Sequence, residues 1–120
     1  MKVLLGFGGS QASLEALERT VERAVAAGDE LTVALAETEG ASHDELADRV
    51  EDAAEGTGLS VDLREIDGNH GSELVALAES EGFDELVLGS NTTSPMGKIT
   101  LNKTAEFVLL NSHVTVTLVR

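Results

Sequence analysis

Apolar and polar positions along the chain alternate between two periods. Residues 2 to 7 (KVLLGF) form an almost unbroken apolar run, the pattern of a strand covered on both faces in a parallel sheet. Leu14, Leu17, Val21, Ala24 and Val25 then recur at helical spacing, with Ser10 placed to cap the helix and Gly28 to stop it. LTVALA (31 to 36) predicts a second strand. Ser42 followed by Glu45 is a capping-box pair, Leu46, Val50 and Ala53 make the stripe of a second helix, and Gly56 and Gly58 end it. Val61, Leu63 and Ile66 alternate with charged residues, which suits an edge strand. Ser72 is expected to cap a third helix that turns Leu74, Leu77 and Ala78 inward and closes at Gly82. ELVLG (85 to 89) is a buried strand and the stretch to about Asn102 a loop. Ala105, Val108 and Leu109 mark a fourth helix, and HVTVTLV (113 to 119) is the last strand. Such alternation with short turns predicts a single α/β domain over residues 1–120, with five mostly parallel strands and helices on both faces.

Composition narrows what such a domain does. A chain of 120 residues supports one hydrophobic core and is too short for two. Its aromatics are Phe7, Phe83 and Phe107 alone, so no stacking platform for single-stranded nucleic acid exists, and a net charge of −14 repels phosphate backbones. Nucleic acid is excluded as a partner. No apolar run approaches the roughly 18 residues that span a bilayer, and glycine interrupts the N-terminal run before a secretory core could form, which predicts a cytoplasmic protein without membrane partners. Without cysteine there is no disulfide, thiolate nucleophile or sulfur-based metal site.

The acid excess has two readings, an ordinary acidic protein or one built for concentrated salt, where a Debye length of about 3 Å screens the repulsion between surface carboxylates. Its distribution is uneven. Every acid but Glu106 lies between Glu15 and Glu85, whereas the last third of the chain carries Lys98, Lys103 and Arg120. The helical clusters Glu15, Glu18, Glu22 and Asp44, Glu45, Asp48, Glu51, Asp52 are interspersed with Arg19, Arg23 and Arg49 and read as solvated surface, so no metal site is expected.

KVLLGFGGSQASLEALERTVERA, followed later by FDELVLGS and TAEFVLLNSHVTVTLVR, gives an opening strand, a Gly-Ser turn and a helix, then a closing strand, helix and strand. In order and spacing these segments resemble the universal stress protein family over nearly the whole chain. The resemblance implies a flavodoxin-like, doubly wound sheet and a homodimer. The order expected is 3-2-1-4-5, which puts the turns after the first and fourth strands at one crevice, where a ligand would lie.

Departures from the family pattern fall on that crevice. Nucleotide-binding members close the first strand with Asp-Gly-Ser, the aspartate helping to hold the adenosine moiety; here Gly8, Gly9 and Ser10 stand in those places. Those members also carry, after the fourth strand, a glycine, two residues, a second glycine, nine residues, then Gly-Ser or Gly-Thr, so that backbone N–H groups and a hydroxyl cradle the phosphates. Counted from Gly89, the second glycine falls on Thr92, the third on Asn102 and the hydroxyl on Lys103. A β-branched Thr92 permits neither positive φ nor close approach of phosphate oxygens. Lys98 and Lys103 would attract a small anion as point charges, or else are solvated loop lysines. The candidate ligand site is therefore Gly8, Gly9, Ser10, Gly89, Ser90, Asn91, Thr92, Lys98, Asn102 and Lys103.

Other motifs are weaker. The stretch from Thr92 to Lys98 fails the phosphate-loop pattern at both ends, and Asn91-Thr92-Thr93 forms a glycosylation sequon in a chain with no secretion signal. The hydroxyls Ser90, Thr92, Thr93 and Ser94 are phosphoryl acceptors or a polar loop surface. His43, His70 and His113 show no triad or zinc spacing and are expected to be structural or solvated. A phosphorelay receiver of the same architecture would need acids where Gly8 and Ile66 stand. The function expected is a non-enzymatic, dimeric stress-response module that binds a partner or small ligand, with no cofactor. The alternative is a weak ATP-binding protein, hydrolysing or not, that uses Lys98 and Lys103. Val114, Val116 and Leu118 alternate with Thr115, Thr117 and Val119 on an edge strand that no lysine, proline or bulge blunts, making it the expected dimer interface.

Overall fold

The computed structural model of the protein describes residues 1–38, 40–89 and 103–119. Strand and helix alternate throughout: β1 (Lys2–Phe7), α1 (Gln11–Ala27), β2 (Glu30–Ala36), α2 (His43–Ala54), β3 (Val61–Ile66), α3 (His70–Ser80), β4 (Glu85–Gly89), α4 (Lys103–Asn111) and β5 (Thr115–Val119). All strand pairs are parallel, in the order β3-β2-β1-β4-β5. The chain therefore winds one way from β1 to β3 and the other way through β4 to β5, and the reversal lies between β1 and β4.

Both faces of the sheet are covered, as the continuous apolar strands require. On one side Val3, Leu5, Phe7, Val33 and Leu35 meet Leu17 and Val21 of α1 and Leu46 and Val50 of α2. On the other, Leu4, Ala34, Ile66, Leu86 and Leu88 meet Leu74 and Ala78 of α3 and Ala105 and Val108 of α4. Among the described residues no helix is long and apolar enough to cross a membrane.

Helix termini follow side-chain chemistry. The hydroxyls of Ser10 and Ser42 accept from the amides of Ser13 and Glu45, and Gly28, at φ 72°, closes α1. For α3 the expected cap is corrected: Asn69, not Ser72, holds the N-terminus, its side-chain oxygen accepting from the Ser72 amide at 2.9 Å. Two expected core positions also point outward. Val25 is 46% exposed because the buried stripe of α1 runs through Ser13, Ala16, Leu17, Thr20, Val21 and Ala24 and leaves it at the margin. Leu109 is 42% exposed, since the two-position stripe of Ala105 and Val108 leaves it on the solvent side.

The edges differ in kind. β3 carries Asp62, Arg64 and Glu65, and Arg64 forms a two-pronged ion pair with Glu81 of α3 at 2.6 and 2.7 Å. β5 begins at Thr115, two residues later than expected, because His113 lies outside the ladder and meets Glu79 instead. Val114, Val116 and Leu118 pack half-buried against the α3/α4 layer. At the base of β4, Glu85 is buried and takes both prongs of Arg23 from α1, one at 2.5 Å, and a hydrogen bond from the Thr117 hydroxyl of β5. That carboxylate ties three elements together.

Candidate functional site

Reversal of the winding direction leaves a crevice at the carboxyl ends of β1 and β4, since their following helices depart to opposite faces of the sheet. After β1 the chain passes Gly8, turns at Gly9 (φ 83°) and enters α1 at Ser10. Arg49 of α2 donates to the Gly9 carbonyl oxygen at 3.2 Å and pins the turn, a role that its place among the acids of α2 did not suggest. Ser13 reinforces it by donating its hydroxyl to the Ser10 carbonyl oxygen at 3.0 Å.

Gly89 ends β4 against the first turn of α1. A Cβ there would lie 2.5 Å from the Ala12 carbonyl carbon, 2.6 Å from the Ser13 nitrogen, and closer still to the Ala12 oxygen. Only glycine permits this approach of strand to helix. Gly8 is different: a Cβ would rest at 3.6 Å from the Ala36 oxygen and 3.8 Å from Thr38 Cγ2, ordinary contact at a φ open to any residue. An aspartate side chain therefore has room to start at position 8, and the missing carboxylate is a matter of chemistry, not of space.

The crevice has a volume of about 210 Å³. Phe7, Leu74 and Leu88 give it an apolar floor, and Ser10, Ser13, Thr38, His70 and Thr104 bring polar groups to it. Of the candidate residues, Gly8, Ser10 and Gly89 line it and Gly9 shapes its turn. Lys103 opens α4, exposed, one residue before the lining Thr104. Ser90, Asn91, Thr92, Lys98 and Asn102 lie outside the described residues, as do the loop, the sequon and the hydroxyl cluster expected there.

Of the polar lining residues, Ser13, Thr38, His70 and Thr104 escaped the sequence reading, two of them far from the expected turns. Thr38 follows β2, and His70, expected to be structural or solvated, is the first residue of α3 with its ring half-buried at the crevice. The signal that would have found both is topological, because segments that follow the strands' carboxyl ends collect at the crevice. The other histidines bear acids. His43 opens α2 with Nδ1 2.8 Å from Glu65 and 3.6 Å from Glu37, and Nε2 3.2 Å from the Ile66 carbonyl oxygen and 3.7 Å from Asp67. Desolvation lowers its pKa, but the Ile66 carbonyl and the carboxylates of Glu65, Glu37 and Asp67 outweigh it, so the net shift is upward.

A larger depression of about 460 Å³ lies between α2 and β3, lined by Val50, Leu59, Val61 and Leu63 with Glu51, Asp52 and Glu55 at its rim. It is remote from the strand carboxyl ends and carries no convergent polar groups beyond that rim, so its chemistry is that of an acidic surface groove. Among the described residues no group of three or more histidines and carboxylates could hold a metal ion.

The family model for the universal stress protein family matches residues 1–120. No curated protein matches the chain. Among solved structures, a universal stress protein in complex with cAMP is 25% identical, with a TM-score of 0.79 over 100% of this chain and 96% of that one. A protein of Mycobacterium tuberculosis is 29% identical, with a TM-score of 0.67 over 99% and 94%. A universal stress protein from Lactobacillus plantarum is 17% identical, with a TM-score of 0.77 over 100% and 97%, a likeness of fold.

Proposed function

Because the chain belongs to the universal stress protein family, we propose that it is a non-enzymatic stress-response module whose crevice takes a small ligand and no longer holds a nucleoside triphosphate firmly. The observation that carries this reading is Gly8. It stands where the nucleotide-binding members resembling this chain have an aspartate, at a position with room for the side chain. The crevice, at about 210 Å³, is also smaller than the roughly 300–1,000 Å³ usual for larger organic ligands. On this reading the protein needs no cofactor, works in the cytoplasm and pairs with a second copy through β5, whose outer edge nothing blunts. The net charge of −14 suits a cell interior rich in salt.

Equilibrium binding of labelled ATP in molar KCl, with and without magnesium, tests it. The expected dissociation constant is no tighter than about 0.1 mM, since losing an adenosine-side acid and glycines of the phosphate loop removes several kcal/mol from a micromolar affinity near −8 kcal/mol. Micromolar binding overturns the reading. Restoring aspartate at 8, glycine at 92 and 102 and serine at 103 should strengthen binding.

A second reading, nucleotide binding with Lys98 and Lys103 supplying charge to the phosphate, draws on the neighbour solved with cAMP. One cyclic phosphate needs fewer contacts than three phosphates in a row. Binding of cAMP tighter than ATP by tenfold or more, and lost in a Lys98→Gln, Lys103→Gln double variant, would favour it.

A further inference from the structure

His70 stands apart from every other ionisable group around the crevice. His43 and His113 each touch carboxylates. His70 has no hydrogen bond or ion pair among the described residues, although its ring lines a cavity whose other polar side chains are the hydroxyls of Ser10, Ser13, Thr38 and Thr104. In a chain with 22 acids, the described lining contains no carboxylate and no second titratable group. The described charges on the bounding segments lie outside the lining: Glu37 and Asp67 approach His43, and Glu73 and Lys103 are exposed on the first turns of α3 and α4. From β1 and β4 the crevice receives only Gly6, Phe7, Gly8, Leu88 and Gly89. Among the described residues, a protonated imidazole here would meet no carboxylate of the crevice lining.

We propose that His70 is the specificity-determining residue of the crevice, its imidazolium donating to the single phosphoryl group of a small ligand seated on the Phe7 and Leu74 floor. This rests on reading the crevice as the ligand site. The consequence is proton linkage. An anion bound beside His70 favours the charged ring, so ligand and proton bind together. Affinity for a phosphorylated ligand rises as pH falls through the imidazole range, and affinity for its unphosphorylated counterpart does not.

Titration calorimetry in 2 M KCl at pH 5.5, 6.5 and 8.0, with cAMP, AMP, inorganic phosphate and adenosine as probes, tests this on the full chain and on His70→Gln. The expected result is about tenfold tighter binding of cAMP or AMP at pH 5.5 than at 8.0, the worth of one charge-assisted hydrogen bond. His70→Gln should bind at every pH as the parent does at 8.0, with adenosine unaffected by pH or substitution. Inorganic phosphate showing the same pH dependence identifies the anion alone as the feature read. AMP or cAMP binding that is flat with pH, or a pH dependence that survives in a His70→Gln variant with unchanged circular dichroism, overturns the role of His70 and leaves the crevice a ligand site. Absence of binding by all four probes at every pH overturns both.

Discussion

Gly89→Ala should be among the most damaging single-methyl additions in this protein, and the structure gives its size. The new Cβ would lie 2.5 Å from the Ala12 carbonyl carbon, where ordinary contact begins at 3.4 Å, so β4 and α1 must part by about 1 Å. None of the three atoms it strikes belongs to a movable side chain; all are backbone of the first turn of α1, held by its Ser10 cap. A gap of up to about 1 Å along a packed contact forfeits a quarter to a half of the dispersion energy there, and overpacked sites cost about 1–3 kcal/mol. The backbone obstacle puts Gly89→Ala at the top of that range, about 3 kcal/mol. For a domain of this length that corresponds to a fall in Tm on the order of 10 °C. Gly8→Ala is the internal control. Its Cβ meets only ordinary contacts, and alanine reduces the freedom of the unfolded chain, so stability should hold or rise by about 0.4–1 kcal/mol. Urea unfolding of both variants beside the parent checks this. A Gly89→Ala midpoint within error of the parent, or a larger loss from Gly8→Ala, would refute the packing argument.

Stability should rise steeply with salt, because lowering ionic strength from molar to millimolar stretches the Debye length from about 3 Å to beyond 30 Å and lets the net charge of −14 act across the whole domain; a Tm flat between 0.1 and 3 M KCl contradicts this. Val116→Lys places a charge on the unblunted edge and should yield a monomer by light scattering in high salt, with circular dichroism confirming that it stays folded; an unchanged dimer places the interface elsewhere. His43 titrates above its ordinary 6.5 in the folded state, so its contribution to stability is complete below about pH 6.5 and is lost as pH rises through the raised folded value. His43→Gln should flatten that part of the stability profile, and a profile identical to the parent's would remove the assignment.

The elements were legible because their signals are local, and the strand order came with the family resemblance. Five apolar residues in a row at 3 to 7 leave little besides a strand covered on two faces, and Ser10 and Ser42 cap helices through atoms within three residues of themselves. Where two local signals competed, the reading failed. Asn69 and Ser72 are both capping residues, and the choice fell to Asn69 because the chain leaves β3 early enough for His70 to begin the helix. Val25 was misplaced because periodicity did not show that Ser13, Ala16 and Thr20 belong to the buried stripe of α1, which turns it away from Val25. The crevice was legible only through its two turns. His70 and Thr38 reach it from segments 32 residues apart in sequence, and the Arg23, Glu85 and Thr117 junction joins residues separated by 62 and 32 positions, so no window along the chain contains either.

The strand order has a further consequence, for how the chain acquires its structure. Everything needed for β3-β2-β1, with α1 and α2 on one face, is encoded by the first 66 residues. During synthesis that half emerges first. The same half-sheet then presents β1 with a vacant ladder and Leu4, Ala34 and Ile66 uncovered until α3, β4 and α4 arrive. During that interval β1, apolar and straight, is an open edge in the middle of the future sheet. The helices that emerge with it, α1 and α2, each carry net negative charge, which repels a second copy from that open edge.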